Sequence, residues 1–522
     1  MKILFKSTSY RKGAALSVGA TAVWKVLSFI NALLIAAYFG AGAETDLYFY
    51  LLLTIGLGVY FLQRMNAAVI IPEAMTRQAR SPGSDRPLLN FFFYFYVALL
   101  LLLTAAAFIG PVQLGRAFSR FCTADLVAQR TLLVLGFILL GLQLLASYLQ
   151  AILEMYRRFT SVLFSPLNAL LPLGCLLIFG REIGIASMLY GFIASYLLQS
   201  ILFIGWMKWE LNWSFGPQKS TIGANFLHNL GSNQLMELAN LISQLLPLYL
   251  LSGLPAGLVS ALNYAKQLSE STSEVFTLRV SNIAKIELTE YAARAQKERL
   301  HHSYLNTHRF LCFLLTPLTV FSIFYAPSII SIFFQRGQFT PQDAVQAARF
   351  LRPLLIIMLL MVPVLMQNCV VAAQRKLKEF LPYALLGSGI FILSVGPAIK
   401  WAGPFAYPYT QVSCMVIGFG INAIFFRKIG FTAFGPSLRE MGRLVLWNLL
   451  ALVPAALYAY YVTANPWLTV LGGGVIFLAA WGSIFYNRGD LTWFFAYFKR
   501  PKAPQAAPPT GVGNSPLQTK VK

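Results

Sequence analysis

Runs of roughly twenty apolar residues follow one another along this chain almost from end to end, separated by short polar stretches. About 20 apolar residues in helical form cross the hydrocarbon core of a bilayer. The runs predict about fourteen such helices, near 14–39, 46–71, 88–110, 130–152, 159–180, 183–206, 225–250, 256–283, 307–334, 344–372, 380–400, 404–426, 442–463 and 466–487. The fold class expected is an all-α polytopic membrane protein.

Two of the helices break the apolar pattern in a regular way. The seventh carries Asn229, Asn233, Glu237, Asn240 and Gln244, and the eighth Ser260, Asn263, Gln267, Glu270 and Glu274. Steps of three and four keep each set on one helical face. Lys266 stands four residues before Glu270, within pairing reach along a helix. The first helix brings Thr21, Lys25 and Ser28 onto one face with Asn31 beside it, and the second ends in Gln63, Arg64 and Asn66. Any single Ser, Asn or Gln here is explained by hydrogen bonding between helices. Lys25, Lys266 and Glu270 sit deeper in their spans, where a charge costs roughly 2.5–3.5 kcal/mol and persists only with a partner or water. Polar faces on otherwise apolar helices point to a wet interior, the outline of a transporter.

Composition supports the membrane reading: 57% of residues are hydrophobic and 11% charged, against about 25% charged in soluble domains. The net charge of +23 does not point to nucleic acid, because the basic residues cluster in alternate loops: Arg77, Arg80, Arg86; Arg157, Arg158; Arg294, Lys297, Arg299; Arg375, Lys376, Lys378; Arg427, Lys428, Arg439, Arg443. That asymmetry places these loops and both termini in the cytoplasm. The basic N-terminal stretch runs into a long apolar segment without a small-residue cleavage site, so it reads as a first membrane helix. The five cysteines are scattered and read as packing residues. The tail from 501 is rich in Pro and Ala and is expected to be disordered, with 491–500 at the membrane surface.

The chain also repeats itself. Pro111, Phe118 and Arg120 recur at one constant offset as Pro327, Phe334 and Arg336, and Asp125 recurs near it as Asp343. The same offset brings Arg157 and Arg158 close to Arg375 and Lys376. The organisation expected is an N lobe at 1–216, a C lobe at 217–435, two additional helices at 436–490, and an interfacial segment and tail at 491–522. Two parallel six-helix repeats bind substrate between the lobes and rock around it.

No phosphate-binding GxxxxGK[ST] and no HExxH is present, and the four histidines form no ligand pattern. Neither catalytic nor metal residues are expected, and movement of a substrate is expected in place of chemistry on it.

Three segments carry a resemblance: AAYFGAGAETDLYF at 36–49, SALNYAKQLSE at 260–270 and FFQRGQFTPQD at 333–343. They resemble the MurJ (MviN) lipid II flippase family, within the superfamily of multidrug, oligosaccharidyl-lipid and polysaccharide exporters. The resemblance implies alternating-access translocation of a polyprenyl-pyrophosphate-linked saccharide, above all lipid II, across the bacterial inner membrane. It also implies a groove for the lipid tail at the last two helices. The family's arginine in the eighth helix falls at Gln267, beside Lys266.

The substrate-binding residues expected are Lys25, Asn31, Arg64, Ser260, Asn263, Lys266, Gln267 and Glu270. Their cations would face the pyrophosphate, and Glu270 would hold Lys266. Gly40, Gly42, Asp46 and Gly257 are the expected gate or hinge, and Asn233, Glu237, Asn240, Gln244 and Glu274 the cavity lining. A related exporter of another lipid-linked oligosaccharide is the alternative. So is a drug or cation antiporter built on Glu237, Glu270 and Glu274. No cofactor is expected, and coupling to the membrane potential or to a monovalent cation stays open. The partners expected are the undecaprenyl-pyrophosphate-linked saccharide and membrane lipids, with no nucleic acid and a monomeric transport unit.

Overall fold

The computed structural model describes residues 10–216, 223–273, 279–462 and 465–499. Glu274 and the tail from 501 lie outside the described residues. The long apolar runs form α1 (Tyr10–Phe39), α2 (Ala43–Met65), α4 (Arg86–Ile109), α7 (Arg130–Met155), α8 (Leu167–Ile183) and α9 (Ala186–Glu210). After these come α10 (Ala224–Leu251), α11 (Leu258–Ser273), α13 (Lys297–Phe324), α15 (Pro341–Ala373), α16 (Leu377–Ala402), α17 (Ala406–Lys428), α18 (Phe434–Tyr461) and α19 (Pro466–Asn487). Shorter helices lie between them: α3 (Ile71–Arg80), α5 (Pro111–Phe118), α6 (Thr123–Ala128), α12 (Arg279–Ala293), α14 (Ala326–Phe334) and α20 (Asp490–Lys499).

Among the described residues, twelve helices are long and apolar enough to cross a membrane. The fourteen expected would require α10 and α11 as well. Those are the two polar-striped helices: the stripe dilutes the apolarity of α10, and α11 is described for 16 residues, up to Ser273. A second difference lies at 72–80, expected as loop. A π-helical turn at Asn66–Ile70 carries α2 directly into α3, so Arg77 and Arg80 stand on helix.

α2 packs on α7 and also on α10 and α11. α1 packs on α8 and on the 3-10 turn Phe159–Phe164, and it touches α11 and α14. α4, α7, α8 and α9 form one group, while α15 joins α11, α12, α13 and α17 in a second. The connection leaving α9 is pinned to α4: Arg86 donates to the carbonyls of Leu211 and Asn212, and Asn90 to those of Ser214 and Gly216.

α18 and α19 pack on each other and on α13. At one end Tyr325 Oη donates to the Ala455 carbonyl at 2.7 Å, and a Cβ at Gly473 would overlap the Tyr325 ring. At the other end the buried Asp490 carboxylate accepts from Arg309, Arg443 and Arg488, tying α20 to α13 and α18. α20 also stacks Phe494 on Phe310.

Candidate functional site

The turn between α1 and α2 builds the first part of the site. Gly40 takes φ +63°, a left-handed conformation that glycine adopts at little cost. Gly42 donates its N–H to Thr45 Oγ1 at 2.7 Å as α2 begins. The turn sets Asp46, which is buried, against the start of α11. First-turn N–H groups of a helix lack an intrahelical acceptor, and here the carboxylate supplies one. Gly257 N–H donates to Asp46 Oδ2 at 2.7 Å, while the Ser260 N–H and Oγ–H donate to Oδ1 at 2.7 and 2.6 Å. A carboxylate on α2 therefore caps α11 from outside, at the end where the helix dipole favours negative charge.

Aromatic packing surrounds the cap. Tyr264 donates to the Gly40 carbonyl at 3.0 Å, and its ring lies 5.1 Å from Phe49, 5.0 Å from Phe334 and 5.3 Å from Phe339. The turn after α14 rests on the end of α1, with Gln338 N–H donating to the Ala37 carbonyl at 2.9 Å. These contacts join α1 and α2 to α11 and α14 and seal this end of the molecule.

The opposite end is open. Asp46 and Arg80 lie on one continuous helical run, roughly 50 Å apart at about 1.5 Å per residue. A cleft of about 990 Å³ lies there, lined by Val69, Glu73, Arg77, Arg80, Asn229 and Asn233 among others. Glu73 and Arg77 are paired at 2.8 Å along α3. Sequence reasoning missed Glu73, Thr76, Arg77 and Arg80, because they fall outside the apolar run. Their spacing is a usable signal, since positions i, i+3, i+4 and i+7 share one helical face.

Between seal and cleft, Arg64 Nε lies 3.9 Å from Glu237 Oε1 and donates to Tyr60 Oη at 2.7 Å. Glu237 is buried and accepts from Asn240 Nδ2 at 3.3 Å. Asn233 donates to Gln234 at 3.1 Å, and Gln244 is exposed. On α11 the Lys266 ammonium is 3.6 Å from Glu270, as the spacing predicted. Asn263 is buried and Gln267 half-buried. Lys25 is half-buried, its ammonium 5.0 Å from the Trp24 ring centroid.

Of the residues expected to bind substrate or line the cavity, Asn233 lines the cleft, while Lys25 and Lys266 do not. Two others are engaged elsewhere. Asn31 is buried and donates to the Ala169 carbonyl on α8 at 2.9 Å, so it ties α1 to α8. Ser260 belongs to the Asp46 seal. Gly40 and Gly257, both at positive φ, fall at the seal with Asp46; Gly42 has open space where a side chain would go.

Comparison with known proteins matches residues 35–395 to a family described as lipid II flippase MurJ. A curated relative, described as a probable lipid II flippase MurJ of Bdellovibrio bacteriovorus, is 26% identical over 136 residues; the match covers 26% of this chain and 25% of that protein. A solved lipid II flippase MurJ in an inward closed conformation superposes with a TM-score of 0.74 at 18% identity, covering 91% of this chain and 99% of the other. A multidrug resistance MATE family transporter of the MOP superfamily, solved in an inward-facing conformation, superposes with a TM-score of 0.61 at 13% identity, over 81% of this chain and 95% of its own. At these identities the superpositions speak for the fold.

Proposed function

The chain belongs to the lipid II flippase MurJ family, and from that premise we propose that it carries lipid II across the bacterial inner membrane by alternating access. One observation supports this reading most. The site has two ends, with a seal at Asp46 and a cleft at Arg77 and Arg80 on the same helical run. A carrier that presents its interior to one side at a time needs one end shut while the other is open.

The cleft end carries the basic loops, so we assign it to the cytoplasm, along with both termini. Lipid II would then enter where it is made. Its pyrophosphate is anionic and needs cationic partners in a low-dielectric cavity. Arg77 and Arg80 would meet it first, with Arg64, Lys266 and Lys25 deeper in the protein. Asn233 and the other polar side chains of α10 and α11 would meet the sugars. We read 1–216 and 217–435 as the lobes that rock. We read α18 and α19 as the support for the polyprenyl tail, acting in a monomeric unit. The membrane potential or a monovalent cation would drive the cycle.

No observation favours a drug or cation antiporter, because the likeness to that group is one of fold alone. The test is replacement of the resident lipid II flippase in a depletion strain. Growth with normal cell shape supports the proposal. Lysis at full expression and correct membrane insertion rejects it.

A further inference from the structure

One charged pair, Arg64 and Glu237, stands just beyond the cleft on two of the helices that line it. The lining ends, along the helices toward the seal, at Ala68 on the α2 run and Asn233 on α10. Arg64 stands four residues further on α2 and Glu237 four residues further on α10, so each lies one helical turn behind the lining. A ligand moving past the cleft toward the seal therefore meets this pair next.

The pair is unequal. The Arg64 side chain is 52% exposed and the Glu237 side chain 9%. Their separation of 3.9 Å exceeds the roughly 2.7–2.9 Å of a tight charge-assisted hydrogen bond. A loose pair with one partner half-exposed adds little stability. Leaving either charge uncompensated between membrane helices would nonetheless be costly. Arg64 is further held by Tyr60 Oη, and Glu237 by Asn240. Each partner thus keeps a neutral hydrogen-bond partner if the other leaves.

We infer that Arg64 and Glu237 are an exchange pair, in which Glu237 neutralises Arg64 in the empty carrier and the pyrophosphate of the substrate displaces it. This rests on the flippase reading and adds a residue that reading did not need. A pyrophosphate offers several oxygens that a guanidinium grips in a bidentate manner, which a carboxylate at 3.9 Å does not match. Arg64 touches the substrate. Glu237 is a positioning residue, which competes for Arg64 and so helps the anion leave after the lobes have rocked.

The competition predicts opposite signs for the two partners. Binding is measured on the purified full-length protein with undecaprenyl pyrophosphate, with undecaprenol as the uncharged control. Arg64→Gln is expected to weaken undecaprenyl pyrophosphate binding about tenfold or more, the loss of one hydrogen bond to a charged group. Glu237→Gln is expected to tighten it several-fold while slowing lipid II translocation in vesicles. Undecaprenol binding should not change in either variant. Glu237→Asp, which withdraws the carboxylate by one methylene, should tighten binding in the same direction and keeps the test open if the Gln variant misfolds. Equal weakening by Arg64→Gln and Glu237→Gln would make the pair a structural tie and overturn the inference, as would unchanged affinity in both Glu237 variants. A wild-type protein that binds undecaprenyl pyrophosphate but translocates no lipid II would reject the flippase reading instead.

Discussion

Asp46 and Ser260, one on α2 and the other on α11, meet through a single carboxylate oxygen that accepts both the backbone N–H and the hydroxyl of the serine, at 2.7 and 2.6 Å. Hydrogen bonds to a charged group contribute about 1.5–3 kcal/mol each, so this contact biases the molecule toward its sealed form. Asp46→Asn removes the charge and turns an N–H toward one of the donors. The expected outcome is a looser seal. In a background without native cysteines, Asn263→Cys, buried one turn beyond Ser260, should be labelled faster by an impermeant reagent added from the sealed side. Unchanged labelling would remove Asp46 from the seal.

Glycines at the seal are not equivalent. Gly337 has φ +61°, and a Cβ there would overlap the Ala37 carbonyl; Gly40 has φ +63°, and a Cβ there would lie 2.6 Å from the Gln338 carbonyl oxygen. Gly42 has φ −142° and open space. Gly337→Ala and Gly40→Ala should each destabilise the sealed form by about 1–3 kcal/mol, and Gly42→Ala should be tolerated. Accelerated labelling of the same cysteine in the first two variants alone is the expected readout.

Lys266 and Glu270 offer a test of charge. If Lys266 faces the anionic head of the substrate, Lys266→Arg keeps translocation and Lys266→Gln loses it at equal expression. If Lys266 only neutralises Glu270, the double variant Lys266→Gln with Glu270→Gln restores transport, because no charge is left unpaired. The account expects no rescue.

Much of this was legible in the sequence, and the limits have physical causes. Apolar runs report membrane helices directly, because the bilayer fixes their length. The Lys266–Glu270 pair was legible because both residues lie on one helix at a fixed spacing. Only the family resemblance marks Asp46 as a gate residue in the sequence. Its partners lie on another helix far along the chain, and no local rule pairs them. Asn31 looks substrate-facing in the sequence, since a polar residue in an apolar run looks the same whether it faces a cavity or a backbone carbonyl such as that of Ala169. The cleft residues of α3 fall outside the apolar run that marks the second span, whereas the helix itself continues past that run through the π-helical turn at Asn66–Ile70.

Asp490 accepts from three arginines, and its side chain is 4% exposed. Asp490→Ala leaves Arg309 and Arg443 on Glu440 and takes from Arg488 the carboxylate it pairs with. It should lower stability by about 3 kcal/mol, the cost of breaking a buried pair from one side. Asp490→Asn should cost less. Thermal unfolding of the purified protein checks both, and an unchanged Asp490→Ala would mean that α20 does not depend on this network.

The central claim is that this chain moves lipid II from the inner to the outer leaflet. It is tested most directly in spheroplasts depleted of their own flippase and expressing this protein, by the fraction of lipid II that an externally added lipid II-cleaving enzyme can reach. The account predicts that the fraction rises to the level given by the native flippase, and that it collapses when Arg64→Gln is expressed at the same level. Lipid II that stays protected in cells containing the correctly inserted wild-type protein would contradict it.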